Sequence, residues 1–277
     1  ILKQECADCR RRRDEKNRVL SGLDDPRIKS KHFAEAAAIF PNNDIKCDVA
    51  KRRARIFAAN TNQALTWSKA WDVPNSRVLS EAPNIVEEKL AWLQRHDRDC
   101  GDLYGMLPLA KGLPVALTDH LDRSPEKNLL KGRVGFIDSW VEDEREDSAF
   151  DQEKRVLRYV PRVVFVQYYE RVWSETRKKF VEERCKWVVD GIGRPGVYPV
   201  FPWKRAWHLD KSRIAPKLEV KRFQVPLAPA YAMTAHAAQG RTLPAAIIDL
   251  QIGRGVSGIA SYVAMTRVKN LTDLLIY

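Results

Sequence analysis

The sequence has no run of the ~18 consecutive apolar residues that a membrane-spanning helix needs, and its first residues carry charge in place of the apolar core of a leader peptide. A soluble, intracellular protein is expected, in nucleus or mitochondrion. Cysteine is scarce: five residues, an odd number at irregular spacing, exclude a disulfide framework and fit a reducing compartment. Cys6 and Cys9 form a lone C-x-x-C, while Cys47, Cys100 and Cys185 stand singly, so the second ligand pair of a zinc site is missing and no metal site is expected. No internal repeat or low-complexity tract occurs. There is also no G-x-x-x-x-G-K-[ST] loop, the backbone cradle in which a nucleotide's phosphates rest. The chain begins at Ile1 and not at methionine, from which further residues upstream are expected.

What is present is enough hydrophobic residue, 44%, to build a packed core in one large domain or two ordinary ones. Lys and Arg exceed Asp and Glu by 48 − 36 = 12, a balance that attracts polyanions, nucleic acid above all. Residues 1–34, with Arg10-Arg11-Arg12-Arg13, hold few apolar positions and are expected to be a charged connector. Ala36 to Pro41 is a short apolar run, predicted as a strand. Asn42-Asn43-Asp44 can cap a helix from about Asp44 to Ala59, with Ile45, Val49 and Phe57 on its buried side and Lys51, Arg52, Arg53 and Arg55 in water.

A second helix is predicted over Ile85 to His96. Leu109 to Asp122 and Gly132 to Val141 form a hairpin-like unit, with glycines giving tight backbone geometry at the entry to its second arm. Residues 141–221 open on an acidic stretch from Glu142 to Asp147 and then turn β-rich, with strands expected at Val163 to Tyr169 and Lys186 to Val189. Beyond Val220 the order becomes regular: a strand at Phe223 to Val225, a helix from Ala230 to Gln239 ending at Gly240, a strand at Ala245 to Leu250, a helix from Ser257 to Thr266 and a strand at Leu274 to Tyr277. Alternation of this kind predicts an α/β fold, a parallel sheet flanked by helices, interrupted by a small β-rich insertion.

Within that region stand Ala230-Tyr231-Ala232-Met233-Thr234-Ala235-His236-Ala237-Ala238-Gln239-Gly240-Arg241-Thr242-Leu243 and Ser261-Tyr262-Val263-Ala264-Met265-Thr266-Arg267-Val268-Lys269. They resemble motifs V and VI of superfamily 1 DNA helicases. Ile39 to Lys46 resembles motif IV. Lys111-Gly112-Leu113-Pro114-Val115-Ala116-Leu117-Thr118 with Leu130-Lys131-Gly132-Arg133-Val134-Gly135 resembles the "K-G-x-P-V-M-L … N-G-x-x-G" signature of the 5′-to-3′ branch, the PIF and RecD-like group, in the form carried by helitron transposons. The four islands keep the family's order.

The resemblance implies that two RecA-like domains clamp ATP and Mg2+ while single-stranded DNA runs across both. This chain would be the second: residues 35–140 and 222–277 as a RecA-like domain, and 141–221 as its small β-barrel-like insertion. Arg267 would be the catalytic arginine finger, Gln239, Gly240 and Arg241 would face the nucleotide, and Thr234, His236 and Asn43 the DNA. An upstream RecA-like domain of the same chain would be the partner that holds ATP and Mg2+, so these residues alone are not expected to hydrolyse ATP.

Two positions depart from the family. Ala237 stands where relatives carry a lysine, and Asn42-Asn43 where motif IV often has a basic residue. Both leave open a non-enzymatic nucleic-acid-binding remnant of a transposon-derived or truncated helicase gene. Independently of the resemblance, Lys51 to Arg55 offer phosphate contacts, and Trp203-Lys204-Arg205-Ala206-Trp207 offers phosphate contacts with two tryptophans that either stack on bases or pack in a core.

Overall fold

The computed structural model describes residues 17–21, 25–30, 32–33, 36–40, 43–81, 84–146, 155–176, 179–250 and 258–277. Cys6, Cys9, Arg10 to Arg13, Pro41, Asn42 and Ser257 lie outside them. In chain order the strands are β1 (Ala37–Phe40), β2 (Thr66–Lys69), β3 (Trp71–Pro74), β4 (Met106–Leu109), β5 (Pro114–Leu117), β6 (Val134–Val141), β7 (Val156–Leu157), β8 (Val163–Gln167) and β9 (Tyr169–Ser174). They continue with β10 (Lys179–Arg184), β11 (Val197–Val200), β12 (Trp203–His208), β13 (Glu219–Gln224), β14 (Leu227–Pro229), β15 (Ala232–Thr234), β16 (Ala246–Ile248) and β17 (Leu274–Ile276). The helices are α1 (Asn43–Asn60), α2 (Ser76–Glu81), α3 (Ile85–Trp92), α4 (Ala235–Ala238) and α5 (Gly258–Met265). No helix among the described residues is long and apolar enough to cross a membrane. The chain divides into two compact units, residues 1–49 with 231–277 and residues 50–230, and the first boundary falls inside α1.

The first unit is built on a four-stranded parallel sheet in the order β15-β1-β16-β17. Its short strands are apolar on both sides, as a sheet covered on both faces requires. Ile39, Ala246, Ile248 and Leu274 point to the face covered by Ala235 and Ala238 of α4 and Ala264 of α5. Leu275, one residue out of phase in β17, packs on the other face with Leu20, Phe33, Ala36 and Ala245. Part of that second layer comes from the charged stretch before residue 35. Leu20, Ile28 and Phe33 are spaced through that stretch and, with Ala36 just beyond it, cover the sheet.

Asp25 shapes this segment. Its buried carboxylate accepts hydrogen bonds from the Ser21 amide and hydroxyl and from the Arg27 amide and guanidinium, while Arg27 also donates to the carbonyls of Asn17 and Val19. The Arg27 hydrogen bonds hold the Asp25 carboxyl far below its ordinary value, against the opposing effect of burial.

The second unit is β-rich. β11-β8-β6-β5-β14 form an antiparallel sheet, β12-β13-β3 and β4-β2-β7 form two three-stranded sheets, and β9 and β10 form a hairpin. The expected pairing of Leu109 to Asp122 with Gly132 to Val141 appears as β5 against β6. Gly135 is needed there, because a Cβ would come within 2.6 Å of Val166 on β8. Strands from 141–221 share sheets with β3, β5 and β6, so hydrogen bonding groups the expected insertion with residues 66–141. No closed barrel forms among the described residues. The edge strands β11 and β14 contain Pro199 and Pro229, which lack the N–H that a closing ladder would use. Lys186 to Val189, expected as a strand, is irregular.

Beneath β12 and β13 lies a core of Val78, Trp92, Cys100, Trp207 and Val220. Trp92 and Trp207 meet edge to face at 5.8 Å between ring centroids. Burial pushes the Cys100 thiol up to about 11, so it packs as an inert apolar group. Through this core runs Arg222, fully buried. Its guanidinium binds both carboxylate oxygens of Asp72 at 2.8 and 2.7 Å and the carbonyls of Leu103 and Trp92 at 3.2 and 2.8 Å.

Replacing Asp72 by Ala leaves that guanidinium buried beside an empty place, and a urea melt should show a loss of about 3–5 kcal/mol. The double replacement Asp72→Leu, Arg222→Met should cost less than this single change. In the first unit, a depressed Asp25 pKa means stability that is present above the ordinary aspartate value of about 3.9 and is lost as pH falls through and below it. An Asp25→Asn protein should be less stable at neutral pH and show a flatter stability profile below about pH 4, measured by thermal melts across pH.

Candidate nucleotide and nucleic-acid site

The residues singled out near the C-terminus all belong to the first unit, at the two ends of α4 and after α5. Ala230 to Gln239 was predicted as one helix, yet Ala232 to Thr234 is strand β15, in parallel register with Ala38 to Phe40. A ladder with β1 outweighs the helix propensity of alanine here. Thr234 then ends the strand with extended backbone, and its hydroxyl oxygen accepts from the Ala237 amide at 3.2 Å, capping the single turn of α4. Ala235 and Ala238 are buried, and their small size lets the turn sit close to β1 and α5. His236 and Ala237 are exposed.

The turn stops at Gly240, whose φ of 75° lies in the left-handed region that glycine adopts without strain. Gln239, exposed, donates its backbone amide to the His236 carbonyl at 3.2 Å, and Arg241 donates its own to Ala238 at 3.1 Å. The chain then reverses into β16 through a parallel bridge between Leu243 and Val268.

That bridge brings the two motifs together. The Leu243 amide donates to the Arg267 carbonyl at 2.7 Å. The Arg267 guanidinium is half-buried and donates to the Val263 carbonyl at 2.8 Å, the Arg241 carbonyl at 3.3 Å and the Thr266 hydroxyl at 2.8 Å. These contacts use three of its five N–H groups and fix the side chain without neutralising it. Burial lowers the pKa of Arg241 from its ordinary value, but an arginine stays charged at any physiological pH. The Arg267 guanidinium therefore meets the glycine-bearing turn at the Arg241 carbonyl, beside the bridge that leads into β16, a place that can receive an anion.

Thr234 and His236 stand elsewhere. Phe40 and Thr234 are register partners at the carboxyl ends of β1 and β15, the edge at which open parallel sheets bind ligands. Asn43, at the start of α1 shortly after β1, belongs to that edge by its backbone, and its side chain lies outside what is described. Thr234 and Asn43 thus stand at the carboxyl edge and Arg241 with Arg267 toward the amino ends of β16 and β17, with His236 and Gln239 in and just after the single turn between them.

No family model and no curated protein matches the sequence. Among solved structures, the chain is similar to the Pif1 helicase of Candida albicans, with 16% identity over 99% of this chain and 50% of that one and a TM-score of 0.48. It is similar to Bacteroides Pif1 bound to single-stranded DNA, with 17% identity over 99% and 45% of the two chains and a TM-score of 0.46. A Bacteroides Pif1 complex with ADP-AlF3 and single-stranded DNA gives 18% identity, 99% and 46% coverage and a TM-score of 0.46. The chain spans half or less of the length of these structures.

The second unit holds the remaining expected contacts. Trp207 is in the core, with the guanidinium groups of Arg95 and Arg222 at 5.3 and 5.7 Å from its ring centroid. Trp203 is half-buried with Arg205 at 5.1 Å, and Arg205 pairs with Asp119. The Trp207 indole is closed to a base, and the Trp203 indole is partly covered. Lys51 and Arg55, one turn apart on α1, do face a cleft of about 550 Å³, where Lys51 donates to Gln94 at 3.1 Å and Arg55 lies 5.4 Å from the Trp67 ring centroid. Trp67 was missed as a neighbour of these cations because only the pairing of β2 with β4 and β7 brings it there.

A Cβ at Gly240 would touch nothing within 4 Å, so the cost of substitution is backbone conformation alone. Gly240→Ala should lose about 1–2 kcal/mol in a thermal melt. Gly240→Asn should lose less, since asparagine visits the left-handed region more readily.

Proposed function

We propose that these residues are the C-terminal motor half of an ATP-dependent 5′-to-3′ DNA helicase of the PIF and RecD-like group. In this reading the first unit is a RecA-like domain that holds one side of single-stranded DNA and supplies Arg267 to ATP and Mg2+ held by an upstream RecA-like domain. The observation that carries it is the junction of the two motifs: Arg267 is pinned by the carbonyls of Val263 and Arg241, and a charged guanidinium with two uncommitted N–H groups among the described residues stands beside the Gly240 turn.

Hydrolysis of a phosphoanhydride depends mostly on positioning and on stabilising charge on the transferred phosphate's oxygens, and ATP supplies that group when bound. Arg267 fits such a role, because a side chain held at three points loses little freedom when it meets an oxygen. Arg241 brings a second positive charge to the same segment. Gly240 allows a backbone to approach a phosphate closely. Thr234, at the opposite end of α4, and the exposed His236 within it offer a hydroxyl and an imidazole to the DNA backbone. Any shift of α4 driven from the Arg241 end is passed directly to the Thr234 end. This chain has no G-x-x-x-x-G-K-[ST] loop, so the phosphate cradle belongs to the upstream domain.

The exposed Ala237, where relatives carry a lysine, favours a second reading, a nucleic-acid-binding remnant without motor activity.

The test is turnover by the full-length protein. Arg267→Ala should lower DNA-stimulated ATP hydrolysis roughly 10³-fold or more while leaving single-stranded DNA affinity within about threefold. Unchanged turnover in this variant would remove Arg267 from catalysis. DNA binding with no turnover in the unmodified full-length protein would establish the remnant.

A further inference from the structure

The three-stranded sheet β12-β13-β3 has one face in the core and one in water. Strand alternation decides which residues lie on each. Asp72, Val220, Arg222, Gln224 and Trp207 point inward. Outward stand Trp71 and Val73 on β3, Lys221 and Phe223 on β13, and Lys204 and Ala206 on β12. Trp71 is 52% exposed, Val73 43% and Phe223 37%. Trp71 and Phe223 are register partners, about 5 Å apart at the backbone, and Phe223 is in turn the partner of Lys204.

Large apolar side chains grouped on an exposed sheet face mark a surface that something covers. The neighbouring charges decide what covers it. Lys204 has no ion-pair partner among the described residues, and Lys221 reaches only Glu219, at 3.4 Å. The centre of a protein–protein contact is depleted in lysine, whereas a surface for single-stranded nucleic acid needs both an aromatic face for bases and cations for phosphates. The chain's net charge of +12 points the same way.

We infer that the outer face of β12-β13-β3 is a stacking platform for single-stranded nucleic acid, with bases against Trp71 and Phe223 and backbone phosphates met by Lys204 and Lys221. The inference rests on the nucleic-acid-binding part of the proposed function, and it places a contact in the second unit, on residues outside the helicase motifs. The platform is held from beneath by Arg222 and Asp72, which are themselves register partners between Lys221 and Phe223 and between Trp71 and Val73. Stacking reads no particular base, so binding is sequence-tolerant.

The test compares fluorescence anisotropy of labelled oligo(dT) and of an abasic oligonucleotide of equal length with the 277-residue chain. Trp71→Ala and Phe223→Ala should each weaken oligo(dT) binding roughly tenfold. Both should leave abasic binding unchanged, and Trp71→Phe should retain affinity for oligo(dT). Lys204→Gln should weaken both ligands equally and lower the salt slope. Both aromatic positions are exposed, and thermal melts identify any variant that fails to fold. Unchanged oligo(dT) affinity in a folded Trp71→Ala, Phe223→Ala double variant overturns the platform while leaving DNA binding by Thr234 and His236 standing. Absence of binding to either oligonucleotide by the unmodified chain overturns both. If instead the double variant abolishes self-association in sedimentation and leaves oligonucleotide binding intact, the face is a protein contact and the platform is wrong.

Discussion

The second unit is organised around one buried ion pair. Arg222 enters the core from the middle of β13, and Asp72 meets it from the middle of β3 with both oxygens. Removing two charges from water costs several kcal/mol for each ion, which their attraction offsets only when geometry is good and the remaining donors are bonded. Here the Leu103 and Trp92 carbonyls take the other N–H groups, tying the sheet to α3 and to the loop before β4. Such a pair is weak evidence for stability, but it opposes a slipped register. Sliding β13 by one residue against β3 would bring Lys221 or Phe223 into the place of Arg222 and turn every side chain to the wrong face. Register, and with it the outward position of Trp71 and Phe223, is set by a guanidinium that has one acceptable partner.

The first unit obeys a different constraint. Its strands are three or four residues long and apolar on both sides, so neither face can be left wet. Alanine recurs at the contacts between α4, α5 and the sheet, Ala235, Ala238, Ala246 and Ala264, and helices packed through such small residues lie close. α4 is a single turn between the capping Thr234 and the Gly240 turn. The same shortness places Thr234 and Arg241 at opposite ends of one rigid piece.

Much of the first unit was legible in the sequence. Apolar runs at Ala36 to Phe40, Ala245 to Leu250 and Leu274 to Tyr277 alternate with helical segments, and that rhythm survives as β1, β16 and β17. The two stretches that resemble motifs V and VI are legible because their residues are contiguous. Other features required pairing partners far along the chain. Ala232 to Thr234 has the composition of a helix and becomes a strand only because β1 is beside it. Leu20, Ile28, Phe33 and Ala36 are too sparse among charges to signal burial until a bare sheet face is present to receive them. Trp203-Lys204-Arg205-Ala206-Trp207 drew attention as a cluster, although alternation puts its two tryptophans on the inward side and leaves Lys204 and Ala206 outside. Trp71 and Phe223, 152 residues apart by 223 − 71, share no local signal at all.

The nesting of one unit inside the other has a consequence for synthesis. β1 pairs with β15 and β16, and from Ala38 to its partner Ala232 the ribosome must add 232 − 38 = 194 residues. At 5–20 residues per second that is a wait of roughly 10–40 s. Meanwhile β2 to β14, whose strand partners among the described residues all lie within residues 50–230, can complete their own sheets. The first unit is thus begun first and closed last, and Ala37 to Phe40 spends the interval as an unpaired apolar strand. Whatever shields that strand during translation governs how much of the protein reaches its folded state.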